Sequence, residues 1–124
     1  MGDARKVLTE GELEIMQVVW DLRQCTVRQV YETLRERKQV AYTTVMTMMK
    51  ILEQKGHLVR SREHRAYVYR PSQPKSRVIA SMVNDFLSRV FGGSAKPLVL
   101  GLIQEKKLSS EDLAEITRLI EEQQ

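Results

Sequence analysis

The start points of the first two helices constrain the fold more than any other feature of this sequence. Thr9 with Glu12 and Thr26 with Gln29 each form a capping box, a pair in which each side chain accepts the other residue's backbone N–H. Apolar residues follow both motifs at the three- and four-residue spacing of a helix face. The sequence therefore predicts two short amphipathic helices separated by a brief connection.

A third helix and a hairpin are predicted to follow. Residues 42–55 place apolar side chains at helical spacing, and Gly56 suits the left-handed conformation that ends a helix. Residues 58–63 and 66–70 are predicted to form two short strands around a two-residue turn. Three helices followed by a hairpin predict a winged helix-turn-helix domain.

The second part of the chain is predicted to form three further helices with wide apolar faces. The longest has an apolar stripe over about half of its circumference, more than a helix packed on one side requires. Ser109 and Asp112 form a third capping box at the start of the last helix. The predicted fold class is mainly α with a small β-hairpin wing: a winged helix-turn-helix DNA-binding domain at residues 1–72 and a helical dimerisation domain at residues 73–124.

Three apolar-faced helices in so short a segment cannot bury a convincing core alone. Pairing two copies of the chain would cover these faces, so a symmetric homodimer is the predicted assembly. The alternative is a monomer in which the same helices fold back on the N-terminal domain. The predicted dimerisation residues are Val78, Ile79, Met82, Val83, Phe86, Leu87, Val90, Phe91, Leu98, Leu102, Leu113, Ile116, Leu119 and Ile120.

The basic charge is concentrated in the predicted DNA-binding domain. Residues 1–72 carry 13 Lys and Arg against 9 Asp and Glu, whereas residues 73–124 carry 7 of each, so the first segment accounts for the whole net charge of +4. A basic domain joined to a neutral apolar one is typical of a polyanion-binding head with an assembly segment. The excess is modest, so the prediction of nucleic-acid binding depends mainly on the third helix.

The outer face of that helix has the side chains that a major-groove reader needs. Threonine hydroxyls and lysine can bond phosphates or base edges, while methionine and threonine methyl groups can contact the thymine methyl. Threonine has weak helix propensity, so a cluster of threonines on one face is a local cost that a function would explain. Arginines of the hairpin suit phosphate or minor-groove contacts. The hairpin arginines are Arg60, Arg62, Arg65 and Arg70, and the predicted DNA-binding residues are Tyr42, Thr43, Thr44, Met46, Thr47, Lys50, Arg62 and Arg65.

The remaining reactive side chains do not form a predicted catalytic or metal site. Cys25, the one cysteine, precedes the second helix, and there a packing role is favoured over redox sensing. His57 and His64 do not combine with Cys25 in the spacing of a metal site, and no catalytic motif is found. No metal, cofactor or enzymatic activity is predicted. No apolar run is long enough to span a membrane, and a single cysteine fits the reducing cytosol, so a cytoplasmic protein without membrane insertion is expected.

Seven segments, in order along the chain, carry a more specific signature together with Trp20. They are LTEGELEIM at residues 8–16, TVRQV at 26–30, AYTTVMT at 41–47, LEQKGHL at 52–58, RAYVY at 65–69, FGGS at 91–94 and LSSEDL at 108–113. In these segments the chain resembles the BlaI/MecI-type penicillinase repressors. The resemblance covers nearly the whole chain.

The resemblance implies a homodimeric transcriptional repressor whose heads bind double-stranded operator DNA of dyad symmetry and whose C-terminal helices hold the dimer. In β-lactam-responsive members the C-terminal domain is cleaved, usually at an Asn-Phe bond. Here the matching bond is Gly101-Leu102, so inactivation by a protease stays open. Copper-responsive relatives carry Cys-x-Cys motifs near the C-terminus, which this chain lacks. Thr43, Met46 and Ile51 stand where members often have basic residues, so the operator sequence is not predicted.

A different class of function stays open from the residues alone. Some winged helices bind proteins instead of DNA, and the wide apolar face of the fourth helix would suit another chain. The alternative to a repressor is therefore a winged-helix protein-interaction module without DNA binding. Duplex affinity that falls steeply with salt would distinguish the repressor from this module.

Overall fold

The computed structural model describes residues 7–124, and within them the chain forms six helices and one antiparallel β-hairpin. The predicted class, mainly α with a small hairpin wing, is confirmed. The elements are α1 (Glu10–Leu22), α2 (Val27–Arg35), α3 (Tyr42–Gln54), β1 (Leu58–Glu63), β2 (Ala66–Pro71), α4 (Lys75–Phe91), α5 (Lys96–Gln104) and α6 (Ser110–Glu122).

The three predicted capping boxes are all formed, and each starts its helix where the sequence predicts. At α1 the Thr9 hydroxyl accepts the backbone N–H of Glu12 at 3.2 Å, and the Glu12 carboxylate accepts the backbone N–H of Thr9 at 2.9 Å. The boxes at α2 and α6 form the same reciprocal bonds at 2.8–3.2 Å. These helix starts are therefore fixed by side chains next to the backbone groups they cap, at about 1 kcal/mol each.

The first three helices and the base of the hairpin enclose one apolar core. α1 and α3 contribute most of it, because each presents a buried stripe to the other and to α2. Leu58 and Tyr69 close the core from the two strands. The fully buried members are Ile15, Met16, Val18, Val19, Cys25, Val30, Leu34, Val45, Met49, Leu52, Leu58 and Tyr69.

The hairpin is anchored at its base and turns sharply at its tip. Tyr69 and Cys25 exchange two backbone hydrogen bonds, at 2.7 and 2.9 Å, which join β2 to the segment before α2. The predicted two-residue turn is confirmed, with His64 at φ 50° and Arg65 at φ 70°. Positive φ at both turn residues matches the right-handed twist of the paired strands.

One nearly buried ion pair ties the start of α1 to the end of α3. The Lys55 ammonium lies 2.7 Å from the Glu12 carboxylate and also donates to the backbone oxygen of Val7 at 3.2 Å. Burial alone would raise the pKa of Glu12, but hydrogen bonds from Lys55 and Thr9, together with the Lys55 charge, lower it. The same carboxylate therefore caps α1 and fixes the end of α3.

The chain divides into two compact units, Met1–Ile79 and Ala80–Gln124, the first of which is described from residue 7. The division falls inside α4, after the buried Val78, so the beginning of α4 belongs to the first unit. Sequence analysis places the boundary at residue 72 instead, on the two prolines that flank a polar turn. The DNA-binding and dimerisation roles of the two parts stay predictions.

The second unit has no closed core of its own. From Ala80 to Gln124 no side chain is fully buried, and the apolar residues are half-buried or exposed. Phe86 and Phe91 pack edge to face with their ring centroids 5.8 Å apart, yet Phe86 stays 41% exposed. The exposed apolar residues of this unit are Val83, Phe86, Val90, Val99, Leu100, Ile103, Ile116, Leu119 and Ile120.

Membrane-spanning potential is weak in the described part of the chain. No helix of residues 7–124 is by itself long and apolar enough to cross a bilayer, and α4 and α5 meet that standard only as a pair bent by 87°. The Gly101-Leu102 bond, which the sequence resemblance predicts to match a cleavage site, lies inside α5.

Candidate nucleic-acid interface

Packing against the core fixes the rotation of α3 about its own axis. Val45, Met49 and Leu52 are fully buried, so this side of the helix faces the interior. Successive residues of a helix are about 100° apart, which places Thr43 and Thr47 on the opposite side. Both threonines are exposed. The helix is therefore held from behind and presents a polar face to solvent.

A straight row of side chains runs along that outer face. Thr43, Thr47, Lys50 and Gln54 are spaced by four, three and four residues, so they lie on one side of the helix, and all four are exposed. The first three belong to the predicted DNA-binding set. Sequence analysis did not assign Gln54, although its spacing from Lys50 identifies it as the next member of the row.

The other predicted residues of α3 lie beside this row. Met46 is half-buried on the flank nearer to the hairpin. Thr44 is exposed on the opposite flank and lines a cleft of about 260 Å³ together with Gly11 and Met48. Both side chains are therefore at the margins of the outer face, and the central positions belong to Thr43 and Thr47.

The first turn of α3 combines an uncapped helix start with an aromatic and a cation. Ala41 occupies the N-cap and has no side-chain oxygen to bond the first backbone N–H groups. Tyr42 packs edge to face on Tyr31, with centroids 5.5 Å apart, and the Arg28 guanidinium lies 5.9 Å from the Tyr42 ring. A helix start of this kind favours an anion, because the N–H groups and the helix dipole are both positive there.

The hairpin presents arginines that its own strands hold in place. Arg62 is directly opposite Tyr67 in the strand register, and its guanidinium lies 5.6 Å from that ring. Arg65 lies at the tip of the turn and is exposed. Both residues of the predicted wing contact are therefore on the surface of the first unit.

A third wing arginine has more partners than these two. The Arg60 guanidinium lies 4.2 Å from the Tyr67 ring, and its Nε is 3.5 Å from a carboxylate oxygen of Glu53 on α3. Burial raises the pKa of Tyr69, whereas the charge of Arg60 and a hydrogen bond from it act in the opposite direction. Arg60 therefore connects the wing to α3, which the alternation of the strand does not reveal.

The buried thiol near the base of the wing has the character of a core residue. Cys25 is 2% exposed, and burial raises the pKa of its thiol to about 11. At neutral pH such a group is fully protonated and unreactive. The packing role that the sequence favours for Cys25 agrees with this environment.

An exposed polar helix backed by an apolar core, beside an anchored hairpin that carries arginines, defines a winged helix-turn-helix protein of the DNA-binding class. Solved structures of this class are similar to this chain. The solution structure of the DNA-binding domain of the repressor BlaI superposes with a TM-score of 0.53 at 28% identity, covering 60% of this chain and 92% of that one.

A second solved structure and two sequence comparisons give the family. The monomeric form of Bacillus licheniformis BlaI, solved in complex with the blaP half-operator, is 30% identical, with a TM-score of 0.51 over 56% of this chain and 85% of that one. The penicillinase repressor of the same organism is 30% identical over 115 residues, which is 93% of this chain and 90% of that protein. The family model described as penicillinase repressor matches residues 8–122. The chain belongs to the penicillinase repressor family and is a DNA-binding transcriptional repressor.

Proposed function

We propose that the protein represses transcription as a homodimer that binds an operator of dyad symmetry and blocks access to promoter DNA. Each head inserts α3 into the major groove and lays its wing on the neighbouring backbone. The observation that carries the proposal is the exposed row of Thr43, Thr47 and Lys50 on a helix whose opposite face is fixed in the core. As a regulator of transcription the protein acts in the cytoplasm, by binding and not by catalysis.

The reading surface has distinct parts. Thr43 and Thr47 bond base edges or phosphates and offer their methyl groups to thymine, while Lys50 reaches a guanine edge or a phosphate. Tyr42 and Thr44 contact the backbone near the uncapped start of α3, and Met46 makes an apolar contact from the flank. We add Gln54, which continues the exposed row and can bond an adenine edge or the backbone.

The wing supplies sequence-independent affinity. Arg62, held against Tyr67, and Arg65, at the exposed tip, contact phosphates or enter the minor groove. Each phosphate that such a cation neutralises steepens the salt dependence of binding by about 0.9 in the slope of log K against log salt. Loss of either arginine should therefore weaken binding to all duplexes alike.

The second unit supports the dimer. An isolated protomer leaves the apolar faces of α4, α5 and α6 partly open to water, and a second copy would cover them. A twofold dimer places two α3 helices one or a few DNA turns apart, at about 34–36 Å per turn. Of the predicted dimerisation residues, Val78 differs because it is already buried in the first unit. The proposed dimer contacts are Ile79, Met82, Val83, Phe86, Leu87, Val90, Phe91, Leu98, Leu102, Leu113, Ile116, Leu119 and Ile120.

The test is selection of bound duplexes from a randomised library, followed by sedimentation of the free protein and of the complex. We expect an enriched sequence with two inverted half-sites and a dimer in both samples. Affinity for the selected duplex should fall roughly 1,000-fold between about 50 and 200 mM salt if six or more phosphates are contacted. A monomer that enriches no duplex even at low salt would overturn the proposal and favour a protein-interaction module.

A matched pair of substitutions connects the selected site to α3. Thr47→Val keeps the shape of the side chain but removes the exposed hydroxyl, so we expect weaker binding to the selected duplex and unchanged stability. Thr33→Val makes the same chemical change on α2, where the hydroxyl donates to the backbone oxygen of Gln29 at 2.9 Å. Thr33→Val should leave DNA affinity unchanged. Equal affinity of both variants and the parent would remove Thr47 from the reading surface.

A further inference from the structure

We propose that Arg60 is a further DNA-backbone contact and that Glu53 restrains it as an internal substitute for phosphate. The inference depends on the proposed DNA binding and concerns how its strength is set. Arg60 is one of the hairpin arginines but is not among the predicted DNA-binding residues. Glu53 is an acidic residue beside the proposed DNA-binding surface. Their pairing gives both residues a role in the same site.

The geometry around Arg60 preorganises its guanidinium. The Tyr67 ring lies against it at 4.2 Å, and the Glu53 carboxylate lies 3.5 Å from its Nε. Tyr69, directly opposite Arg60 in the strand register, is fully buried and forms part of the anchored base of the wing. A guanidinium has five N–H donors, more than one carboxylate oxygen occupies. Arg60 can therefore hold these partners and still reach a phosphate.

The exposure of the pair leaves it accessible to a ligand. The side chains of Arg60 and Glu53 are 36% and 32% exposed, so neither is buried and the pair is solvated. An ion pair in this environment is weak, typically within about 1 kcal/mol, and a DNA phosphate can compete with the carboxylate for the guanidinium. Since Glu53 would then face a phosphate as a like charge, it lowers affinity for every duplex.

The position of Glu53 explains why this restraint acts at the interface. Glu53 lies on α3 one turn after Met49 and two turns after Met46, on the side of the helix that faces the wing. A carboxylate there repels any backbone, whatever its sequence, whereas base contacts from Thr43 and Thr47 are available only on the correct site. Because operator and arbitrary DNA both carry this penalty, Glu53 lowers the overall affinity, and the ratio between the two affinities is left to the base contacts.

The experiment uses the full chain and a duplex of arbitrary sequence, with affinity measured from about 50 to 200 mM salt. Binding of the parent protein to this duplex first establishes the proposed function. Arg60→Gln should then reduce the slope of log K against log salt by about 0.9 for each bound head. Across this salt range the variant should therefore lose roughly threefold less affinity than the parent for each contact removed. Glu53→Gln should raise affinity and steepen the slope. Asp85→Asn, which removes the same charge from an α4 ion pair at 3.2 Å, is the control and should change neither.

Two further variants separate contact from structural support. Tyr67→Phe keeps the ring under Arg60 and should bind as the parent does, whereas Tyr67→Leu should weaken binding without a loss of secondary structure.

In an Arg60→Gln background, the gain in DNA affinity from Glu53→Gln should shrink, because no guanidinium is left to release. A parent that binds DNA while Arg60→Gln keeps the parental slope would overturn the contact. Equal gains from Glu53→Gln in both backgrounds would overturn the restraint.

Discussion

The two units of the chain differ in whether they bury their apolar residues. The first encloses twelve fully buried residues in a closed core, whereas the second, from Ala80 to Gln124, buries none completely. Both units are helical and both begin helices with the same capping box. The difference therefore lies not in how helices start but in whether a unit contains enough elements to cover its own apolar faces.

This contrast teaches that local signals and packing are separate contributions to a fold. In the first unit α2, α3 and β2 all pack on α1. The second unit has no such set of partners within itself, and its apolar faces are the surface on which the proposed dimer forms. The stability of the first unit should accordingly be an internal property, while that of the second should depend on protein concentration.

Two matched leucine substitutions give the largest expected effect. Leu52→Ala removes a fully buried side chain of α3 and should lower the free energy of unfolding by about 2–5 kcal/mol at any protein concentration. Leu119→Ala removes a side chain of α6 that is 48% exposed in the protomer, and its cost should be largest at high protein concentration, where the dimer forms, and should shrink as dilution separates the protomers. Urea unfolding at two widely separated concentrations measures both. A concentration-independent loss at Leu119 would mean that the second unit packs within one chain.

The Glu12–Lys55 ion pair gives the next largest expected effect on stability. Glu12→Gln should cost about 1–3 kcal/mol, since it leaves a largely buried ammonium without its carboxylate. Because folding lowers the pKa of Glu12, the parent's advantage is present above the unfolded value of 4.5 and is lost as pH falls through the folded value. Unfolding titrations from neutral pH to below 4.5 should show the two proteins converging. Glu14→Gln, in an exposed pair with Lys38, is the control and should change little.

The boundary between the units can be located by truncation. A fragment ending at Ile79 retains the buried Val78 and should be more stable than a fragment ending at Ser72 by about 1–2 kcal/mol. Val78→Ala in the longer fragment should reproduce most of that difference. Equal stability of the two fragments would place the start of α4 outside the first unit.

The smallest effect concerns reactivity rather than stability. Since burial raises the pKa of the Cys25 thiol to about 11, iodoacetamide at pH 8 should modify the native protein only as fast as the first unit opens. A cysteine introduced by Ala114→Cys on exposed α6 should react quickly under the same conditions. Rapid labelling of Cys25 in the native protein would contradict the closed core of the first unit.

Much of the fold could be predicted because its determinants are local. The capping boxes gave the starts of α1, α2 and α6, and strand alternation gave the hairpin with its two-residue turn. The left-handed conformation predicted for Gly56 is also confirmed, with φ at 86°. Each of these features is decided by a few neighbouring residues.

The features that sequence analysis did not predict depend on contacts between distant residues. The Glu12–Lys55 pair, the burial of Val78 and the connection from Arg60 to Glu53 all require the helices to be in place first. Hydrophobic periodicity does not distinguish one exposed position of α3 from another, so it cannot show that Met46 lies at the edge of the outer face, near the wing. The predicted DNA contacts and dimer contacts stay predictions that the experiments above test.

The two backbone bonds between Cys25 and Tyr69 have a consequence for how this repressor could diverge. They tie the base of the hairpin to the segment before α2, so residues inserted at His64 and Arg65 would lengthen the loop without moving that base. If the wing contacts DNA as proposed, the length of this loop sets how far along the duplex the protein extends. Descendants or designed variants could change their footprint on DNA by this route while leaving α3, the proposed reading helix, untouched.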